Sequence, residues 1–276
     1  MEKNERNPSP VQRLARVLTI AGSDSGGCAG LQADLKTFAA LQTHGLCAVT
    51  ALTAQDTEKV HSAFEIPTEF VARQIEVVAE DIGINAVKTG MLSSAAIICC
   101  VTAQLQRYQI RRLVVDPVMI STGGDRLIQK DAIRVLVNEL FPLATVVTPN
   151  MHEAEALVGR KLSTSQEIRS AAREICSLGP QSVVIKGGHL QDPEQSDDLF
   201  YDGNAFHDLK GKRIKTHNTH GSGCTFSAAI AAYLAKDLST AESVFRAKQY
   251  VQKAIQNSFS LGKGNGPLGH FWKCWE

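Results

Sequence analysis

The sequence predicts an α/β fold: a central, mostly parallel sheet with helices on both faces and a small β-hairpin. Short apolar segments alternate with amphipathic segments of helical periodicity along nearly the whole chain. The apolar segments carry few polar residues, which is typical of strands whose two faces are both covered. Residues 197–214 have an Asp202-Gly203-Asn204 turn between two strand-like runs, and this predicts the hairpin.

Strands and helices follow one another along the chain with recognisable boundaries. Pro67 favours a helix start, and Gly159 and Gly179 favour helix ends. Ser163 or Ser165 is the expected N-cap of the helix that ends at Gly179. Outside the hairpin, the predicted strands are residues 16–22, 47–55, 85–91, 111–119, 145–150 and 181–188. The predicted helices are residues 30–42, 67–82, 94–109, 130–144, 152–159, 165–179, 224–235 and 239–259.

The composition is that of an ordinary globular protein. A chain of 276 residues can form one large α/β domain with its own hydrophobic core. The formal charge of +1, without a dense Lys/Arg cluster, gives no reason to expect nucleic acid binding. No linker divides the chain, so we expect a disordered polar tail at residues 1–14 and a single domain at residues 15–276.

Cysteine usage and hydropathy indicate a cytoplasmic protein. The seven cysteines are odd in number, and no pair has the C-x-x-C spacing of a metal or redox site. Reduced thiols are therefore expected, and a metal-thiolate protein is disfavoured. The N-terminal residues lack the apolar core of a signal peptide. The longest apolar run, residues 224–235, is too short to span a bilayer.

Five predicted strands end in polar or glycine-rich segments. Ligands of parallel α/β folds bind beyond the carboxyl ends of the strands, so these segments form a candidate site. They are AGSDSGGCAG (21–30), KTGML (88–92), DPVM (116–119), TPNMHEAEAL (148–157) and IKGGH (185–189). Each also has a plainer interpretation. In the same order, the plainer interpretations are a tight turn, core packing of Met91, an Asp116-Pro117 turn, a capping box of Asn150 and Glu153, and a surface Lys186.

The segment THGSGC (219–224) leads directly into the apolar helix. The backbone N–H groups of its last four residues, Gly221 to Cys224, would be unpaired donors at a helix start and could bind an anion. The helix dipole would also favour the thiolate of Cys224. The alternative is a small buried cysteine that only packs.

Together these motifs resemble the ribokinase-like kinases, and within them the hydroxymethylpyrimidine/phosphomethylpyrimidine kinase family of thiamine biosynthesis. The resemblance covers residues 17–271 and includes TIAGSDSGGCAGLQADLKTF, TALTAQ, NTHGSGCTFSAAIAA and GKGNGP besides the strand-end segments. It implies a homodimer that phosphorylates 4-amino-5-hydroxymethyl-2-methylpyrimidine and its monophosphate with ATP and Mg²⁺. Whether a monovalent cation also takes part is left open. A pyridoxal or pyridoxine kinase of the same branch is the alternative. The intact GSGC turn argues against a catalytically silent ligand sensor.

The resemblance also implies roles for residues at matching positions. Cys224 would be the catalytic base, with its pKa lowered by the helix terminus, and Asp34 would accept from the amino group of the pyrimidine. The anion hole would be formed by Gly221, Ser222 and Gly223. The pyrimidine pocket would be lined by Gly22, Asp34, Gln55 and Met91. ATP and its phosphates would be bound by Asp116, Asn150, Lys186 and Ser222, and Mg²⁺ by Asp116 and Glu153.

Three positions depart from the family pattern. Cys28 replaces a glycine or alanine in the first loop, so a second thiol is expected near the pocket. Residues 120–125 contain no lysine where the family commonly has one, so no lysine is expected at that position of the phosphate side. Thr53 replaces an aliphatic residue, which would make the pocket more polar.

Overall fold

A nine-stranded sheet forms the centre of the computed structural model, which describes residues 14–119, 128–187 and 194–274. The strands are β1 (Arg16–Asp24), β2 (His44–Gln55), β3 (Val60–Glu65), β4 (Ala86–Thr89), β5 (Leu113–Val115), β6 (Val146–Val147), β7 (Val183–Ile185), β8 (Asp198–Tyr201) and β9 (Phe206–Leu209). Their order across the sheet is β3-β2-β1-β4-β5-β6-β7-β8-β9. All pairs from β2 to β7 are parallel, whereas β3, β8 and β9 are antiparallel to their neighbours. The predicted α/β class is confirmed.

The predicted hairpin is formed by β8 and β9. The Asp202 carboxylate accepts hydrogen bonds from the N–H groups of Asn204 (2.8 Å) and Ala205 (2.7 Å). Gly203 lies at φ 96°, in a region that glycine adopts without a Cβ penalty. The turn residues therefore fix this hairpin locally, as the sequence indicates.

The helices cover both faces of the sheet, as predicted. They are α1 (Gly30–Ala40), α2 (Thr68–Asp81), α3 (Ala95–Arg107), α4 (Lys130–Val135), α5 (Met151–Val158), α6 (Ser165–Ser177), α7 (Ser222–Ala235) and α8 (Thr240–Gln256). Alternate side chains of a strand point to opposite faces. In β5, Leu113 and Val115 belong to the core under α2 to α6, and Val114 belongs to the core under α1, α7 and α8.

Helix α7 is apolar on nearly all sides because it is buried against the sheet and its neighbours α1 and α8. Its apolar character is therefore that of a core helix. None of the helices within the described ranges is long and apolar enough to cross a membrane.

Two strands or helices differ from the sequence-based expectation. Strand β3 was not expected, because most of its residues are exposed and it has no apolar run. The predicted helix 130–144 is not continuous: α4 passes into a π-helical turn, Leu136–Leu140, and then a 3₁₀ turn, Phe141–Leu143. Pro142 explains the end of regular helix, because it has no N–H to donate.

The N-cap of α6 is Thr164, which corrects the expectation of Ser163 or Ser165. The Thr164 hydroxyl accepts from the N–H of Glu167 at 3.2 Å, and the Glu167 carboxylate accepts from the N–H of Thr164 at 2.9 Å. These two bonds form a capping box, which requires the acidic residue three positions after the cap.

Some expectations lie outside the described residues. These are the predicted tail apart from Leu14, the segment 120–125 and residues 188–189 of IKGGH. The remaining strand-end segments lie at the carboxyl edge of the parallel strands, where they surround one cavity.

Candidate active site

A cavity of about 880 Å³ opens at the carboxyl ends of the parallel strands and the N-terminus of α7. All predicted site residues border it except Asp34. Those that do are Gly22, Gln55, Met91, Asp116, Asn150, Glu153, Lys186, Gly221, Ser222, Gly223 and Cys224. Segments distant in sequence therefore meet at one place, as the parallel topology requires.

The N-terminus of α7 is built around Gly221. This residue is the N-cap at φ 78°, and a Cβ added there would lie 1.9 Å from the Cys28 carbonyl oxygen, so only glycine fits. The N–H of Ser222 donates to the Thr219 carbonyl at 3.1 Å, which corrects its expected role as an unpaired donor. No described residue accepts from the N–H of Gly221, Gly223 or Cys224. These three N–H groups can bind an anion.

Cys224 lies in the first turn of α7, with the Gly30 N–H donating to its sulfur. Burial raises the pKa of the thiol to about 11, although Lys88 pulls it down. The expected lowering of this pKa is therefore wrong for this structure, because desolvation of the thiolate outweighs the nearby positive charge. Most Cys224 side chains are protonated thiols at neutral pH.

A buried ion pair lies beside Cys224. Lys88 and Asp34 are both inaccessible to solvent, and their charged groups are 2.8 Å apart. Burial disfavours the charged lysine, but Asp34, Cys224 and Asp116 together outweigh this and raise the pKa of Lys88 above its ordinary value. A Cβ at position 90 would lie 2.7 Å from the Lys88 nitrogen, so Gly90 leaves room for the ammonium group.

Asp34 does not line the cavity, which corrects its predicted place in the pyrimidine pocket. One carboxylate oxygen accepts from both Lys88 and the Thr19 hydroxyl, which is 2.6 Å away. Lys88 borders the cavity instead. It was not among the predicted site residues, although a lysine within the apolar strand AVKT was the available signal.

A second charged cluster joins the ends of β5, β6 and β7. The Lys186 ammonium lies 3.0 Å from Asp116. Burial would raise the pKa of Asp116, but Lys186 and Lys88 together hold it below its ordinary value. Asn150 and Glu153 form the capping box of α5, with bonds of 2.8 and 2.9 Å, so the structural interpretation of this pair is confirmed.

The oxygen atoms of Asp116, Asn150 and Glu153 fit a Mg²⁺ ion that also binds phosphates and water. Mg²⁺ prefers oxygen ligands and commonly takes only one or two carboxylates from the protein. Burial raises the pKa of Glu153 to about 7, with a further contribution from Asp116, and a divalent cation would relieve this repulsion. Among the described residues there is no group of three His, Cys, Asp or Glu side chains that could hold a metal alone.

Replacing Glu153 with glutamine is expected to change how stability depends on pH. In the folded protein the Glu153 pKa is about 7, against an ordinary value of 4.5, so between these values the folded state binds more protons than the unfolded state. Glu153 therefore makes stability fall as pH rises through this window. Chemical denaturation from pH 4.5 to 7 should give a smaller fall for Glu153→Gln than for wild type.

Glu155→Gln on the same helix is the matched control. Its carboxylate is only partly buried, and a hydrogen bond from Lys161 lowers its pKa, so Glu155 contributes a pH dependence of the opposite sign. Equal slopes for Glu153→Gln and wild type would contradict the assignment.

The other end of the cavity is formed around Met91 and Gln55, with the Asp24 carboxylate nearby. Met91 packs against Gly22, where a Cβ would lie 3.1 Å from the methionine sulfur. The Gln55 amide nitrogen lies 3.1 Å from the His220 imidazole. Thr53 also borders this end, as expected from its departure from the family pattern. His220 was missed, because nothing in the local sequence places it beside a residue 165 positions away.

Cys28 does not border the cavity. Its side chain is 1% exposed, and the sulfur lies 3.6 Å from the Gly26 carbonyl oxygen. Its backbone carbonyl faces Gly221, so Cys28 contributes to the site through its backbone. The second thiol is therefore near the pocket, as expected, but does not face it.

Basic side chains border the part of the cavity nearest β8 and α8. They are Lys212, Arg213, Lys215 and Lys248. None of the four is among the predicted site residues, because three of them lie in a loop without a motif. Their charge suits a polyanion at this end of the cavity.

The fold and the site together define a ribokinase-like kinase. The phosphomethylpyrimidine kinase family matches residues 24–269. A hydroxymethylpyrimidine/phosphomethylpyrimidine kinase of Rhizobium meliloti is 45% identical, with 95% of this chain and 99% of that protein covered. The chain belongs to the phosphomethylpyrimidine kinase family.

Two further relatives show the range of the similarity. A thiamine biosynthesis bifunctional protein of Geobacter sulfurreducens is 48% identical over 97% of this chain, and the chain spans only 54% of that protein. The solved structure of the Staphylococcus aureus pyridoxal kinase in complex with AMP-PCP and pyridoxal matches with a TM-score of 0.87 at 39% identity. The match covers 95% of this chain and 96% of that chain.

Proposed function

We propose that the protein phosphorylates 4-amino-5-hydroxymethyl-2-methylpyrimidine and then its monophosphate, with ATP as the donor, for thiamine biosynthesis. The observation that carries the proposal is the arrangement of one cavity. Gln55 and Met91 border one part of the cavity and Lys186 another, and the start of α7 contacts both: His220 lies 3.1 Å from the Gln55 amide nitrogen, and a Cβ at Gly223 would lie 3.2 Å from the Lys186 nitrogen. This arrangement suits a heteroaromatic alcohol facing a nucleotide.

The charged end would hold the nucleotide. Lys186 and the basic side chains near β8 and α8 would bind phosphate oxygens, and Asn150 would support them. The N–H groups of Gly223 and Cys224 would stabilise the charge that develops on the transferred phosphoryl group. Bound Mg²⁺, held by Asp116 and Glu153, would neutralise phosphate charge during transfer.

Cys224 would act as the base in the first step. Its thiolate takes the hydroxyl proton of the alcohol while a new O–P bond forms at the γ-phosphorus. The bond from that phosphorus to the bridging oxygen of ATP breaks, and ADP leaves. Lys88 would favour the thiolate, which burial otherwise disfavours.

Several wider properties belong to the same proposal. We propose a single kinase domain at residues 15–276 that acts in the cytoplasm as a homodimer. Exposed apolar side chains on one edge of the sheet, Leu52 and Phe64, support a homodimer because paired strands present them together. Sedimentation that shows only monomer would refute this part.

Product analysis tests the function directly. Incubation of the protein with ATP, Mg²⁺ and the aminopyrimidine alcohol should give ADP, the monophosphate and then the diphosphate. Formation of monophosphate alone would remove the second step from the proposal. Absence of both products would contradict it, provided that the folded protein binds ATP.

Pyridoxal kinase activity is the second candidate. The similarity to the Staphylococcus aureus pyridoxal kinase supports it, because pyridoxal is also a hydroxymethyl heteroaromatic compound. The two candidates are separated by comparing kcat/KM for the aminopyrimidine and for pyridoxal under the same conditions. The larger value identifies the better substrate.

A further inference from the structure

Gln55 at the end of β2 is held in a three-residue network that borders the cavity. Its amide nitrogen lies 3.1 Å from His220 Nε2, and its amide oxygen lies 3.3 Å from the Thr53 hydroxyl, whose proton is shared with the Ser23 carbonyl at 2.9 Å. Its main chain is fixed by Ser25, whose hydroxyl accepts from the Gln55 N–H and donates to the Gln55 carbonyl, both at 2.8 Å. With the main chain fixed, only a rotation of the side chain can change which end of the Gln55 amide faces His220.

The imidazole of His220 is held in place. The ring is 4% exposed, its main-chain N–H donates to the Gly266 carbonyl at 3.2 Å, and the Asn265 carbonyl faces the ring. Burial lowers the pKa of His220 despite the nearby Asp24 carboxylate, which acts in the opposite direction, and this favours the neutral ring with one N–H. Nδ1 has no hydrogen-bond partner among the described residues, but the Asn265 carbonyl beside the ring favours the N–H on Nδ1, and this leaves Nε2 as an acceptor.

An acceptor at His220 Nε2 determines the orientation of the Gln55 amide. The NH₂ group must face His220, and the amide oxygen then faces Thr53. A rotation of 180° would place the amide oxygen against the imidazole lone pair, which is repulsive. The amide so held still has one N–H and one oxygen lone pair available to a ligand.

We propose that His220, assisted by Thr53, is a specificity-determining positioning residue that fixes the donor and acceptor polarity of the Gln55 amide. The inference rests on the proposed function and names what selects the substrate. An N–H beside a C=O matches a ring nitrogen beside an exocyclic amino group, as in a 4-aminopyrimidine. A 3-hydroxypyridine has no amino donor next to its ring nitrogen and gains only one of the two bonds.

His220→Leu and His220→Gln test this inference. Leucine removes the acceptor, so the Gln55 amide can rotate, whereas the glutamine oxygen supplies an acceptor near the position of Nε2. Two substrates are compared: the aminopyrimidine alcohol and 5-hydroxymethyl-2-methylpyrimidine, which lacks the amino group. We expect His220→Leu to raise KM for the aminopyrimidine roughly 10- to 100-fold, the size of a lost hydrogen bond to a bound ligand. The KM for the compound without the amino group should change less than about threefold, and kcat should be kept.

Two control variants accompany His220→Leu: the conservative variant His220→Gln, and a substitution of His270. His220→Gln should restore most of the preference for the amino group. His270 is the matched control, because it is buried to 3% exposure and bonds to Thr225 of α7, but does not border the cavity. His270→Leu should leave the ratio of the two KM values unchanged. An equal loss for both substrates in His220→Leu, or no change in the ratio, would overturn the inference.

Two further measurements keep the outcome decisive. If His220→Leu does not fold, Thr53→Val removes the other contact to the amide and should shift the same ratio in the same direction, and an unchanged ratio would overturn the inference. Calorimetric binding of both pyrimidines separates the inference from the proposed function. The wild-type protein could bind the aminopyrimidine in preference to the other compound, with a preference that depends on His220, and still not phosphorylate it. This result would refute the proposed function alone. Absence of that preference in binding would refute the inference.

Discussion

Cys224→Ala is expected to lower turnover of the aminopyrimidine alcohol by roughly 10²- to 10⁴-fold, the usual contribution of a general base. The alcohol is a weak nucleophile, and Cys224 borders the cavity from the first turn of α7. Nucleotide binding should be retained, because Lys186 and the helix N–H groups remain. Single-turnover kinetics and calorimetric titration with ATP separate these two effects.

The same variant should affect the second phosphorylation much less. The acceptor in that step is a phosphate oxygen, which already carries negative charge at neutral pH because its second pKa is about 6. No base is needed to remove a proton from it. Feeding the monophosphate to Cys224→Ala should therefore give diphosphate at a rate closer to wild type. An equal loss in both steps would indicate a role in binding or positioning instead.

The raised pKa of the Cys224 thiol gives a further expectation for the wild-type protein. With a pKa of about 11, the thiolate fraction increases with every unit of pH between neutral and mildly alkaline conditions. The first step should therefore accelerate with pH, by up to about tenfold per unit, and this dependence should disappear in Cys224→Ala. Cys176→Ala is the control, because it removes a half-buried thiol that does not border the cavity. Loss of activity in Cys176→Ala would show that thiol removal itself is damaging.

The fold and the position of the site could be predicted because both follow from local patterns. Apolar runs identified the parallel strands, and the Asp202-Gly203-Asn204 turn identified the hairpin. Once the sheet is parallel, the ends of its strands must meet, so Asp116, Lys186 and the GSGC turn meet without any knowledge of the structure.

The features that were missed depend on neighbours distant in sequence. Lys88 contacts Asp34 across 54 positions, and His220 contacts Gln55 across 165 positions, so no local pattern contains either contact. The expected lowering of the Cys224 pKa is wrong for the same reason. The helix start is visible in the sequence, but the burial that outweighs it is a property of the packed core.

Lys88→Met is expected to destabilise the protein by about 3 to 5 kcal/mol, the usual cost of removing one partner of a buried ion pair. Burial already raises the pKa of Asp34 with Lys88 present, so without Lys88 the carboxyl would either stay charged in the core with only the Thr19 hydroxyl to bond it or become protonated. The alternative, protonation of Asp34, also costs free energy at neutral pH. Urea denaturation at pH 7.5 measures the loss, and a loss below about 1 kcal/mol would contradict the ion pair, because exposed pairs contribute that little.

The double variant Lys88→Met/Asp34→Asn separates the structural role of Lys88 from its effect on the site. Neutralising both partners removes the unpaired charge, so stability should recover by a large part of the loss in the single variant. Activity should not recover with it, because Cys224 has then lost the positive charge that most favours its thiolate. Recovery of both stability and first-step turnover would mean that Lys88 only holds the fold. Recovery of stability alone would make the buried ammonium a positioning charge for the thiolate, which explains why a lysine lies in the middle of a core strand.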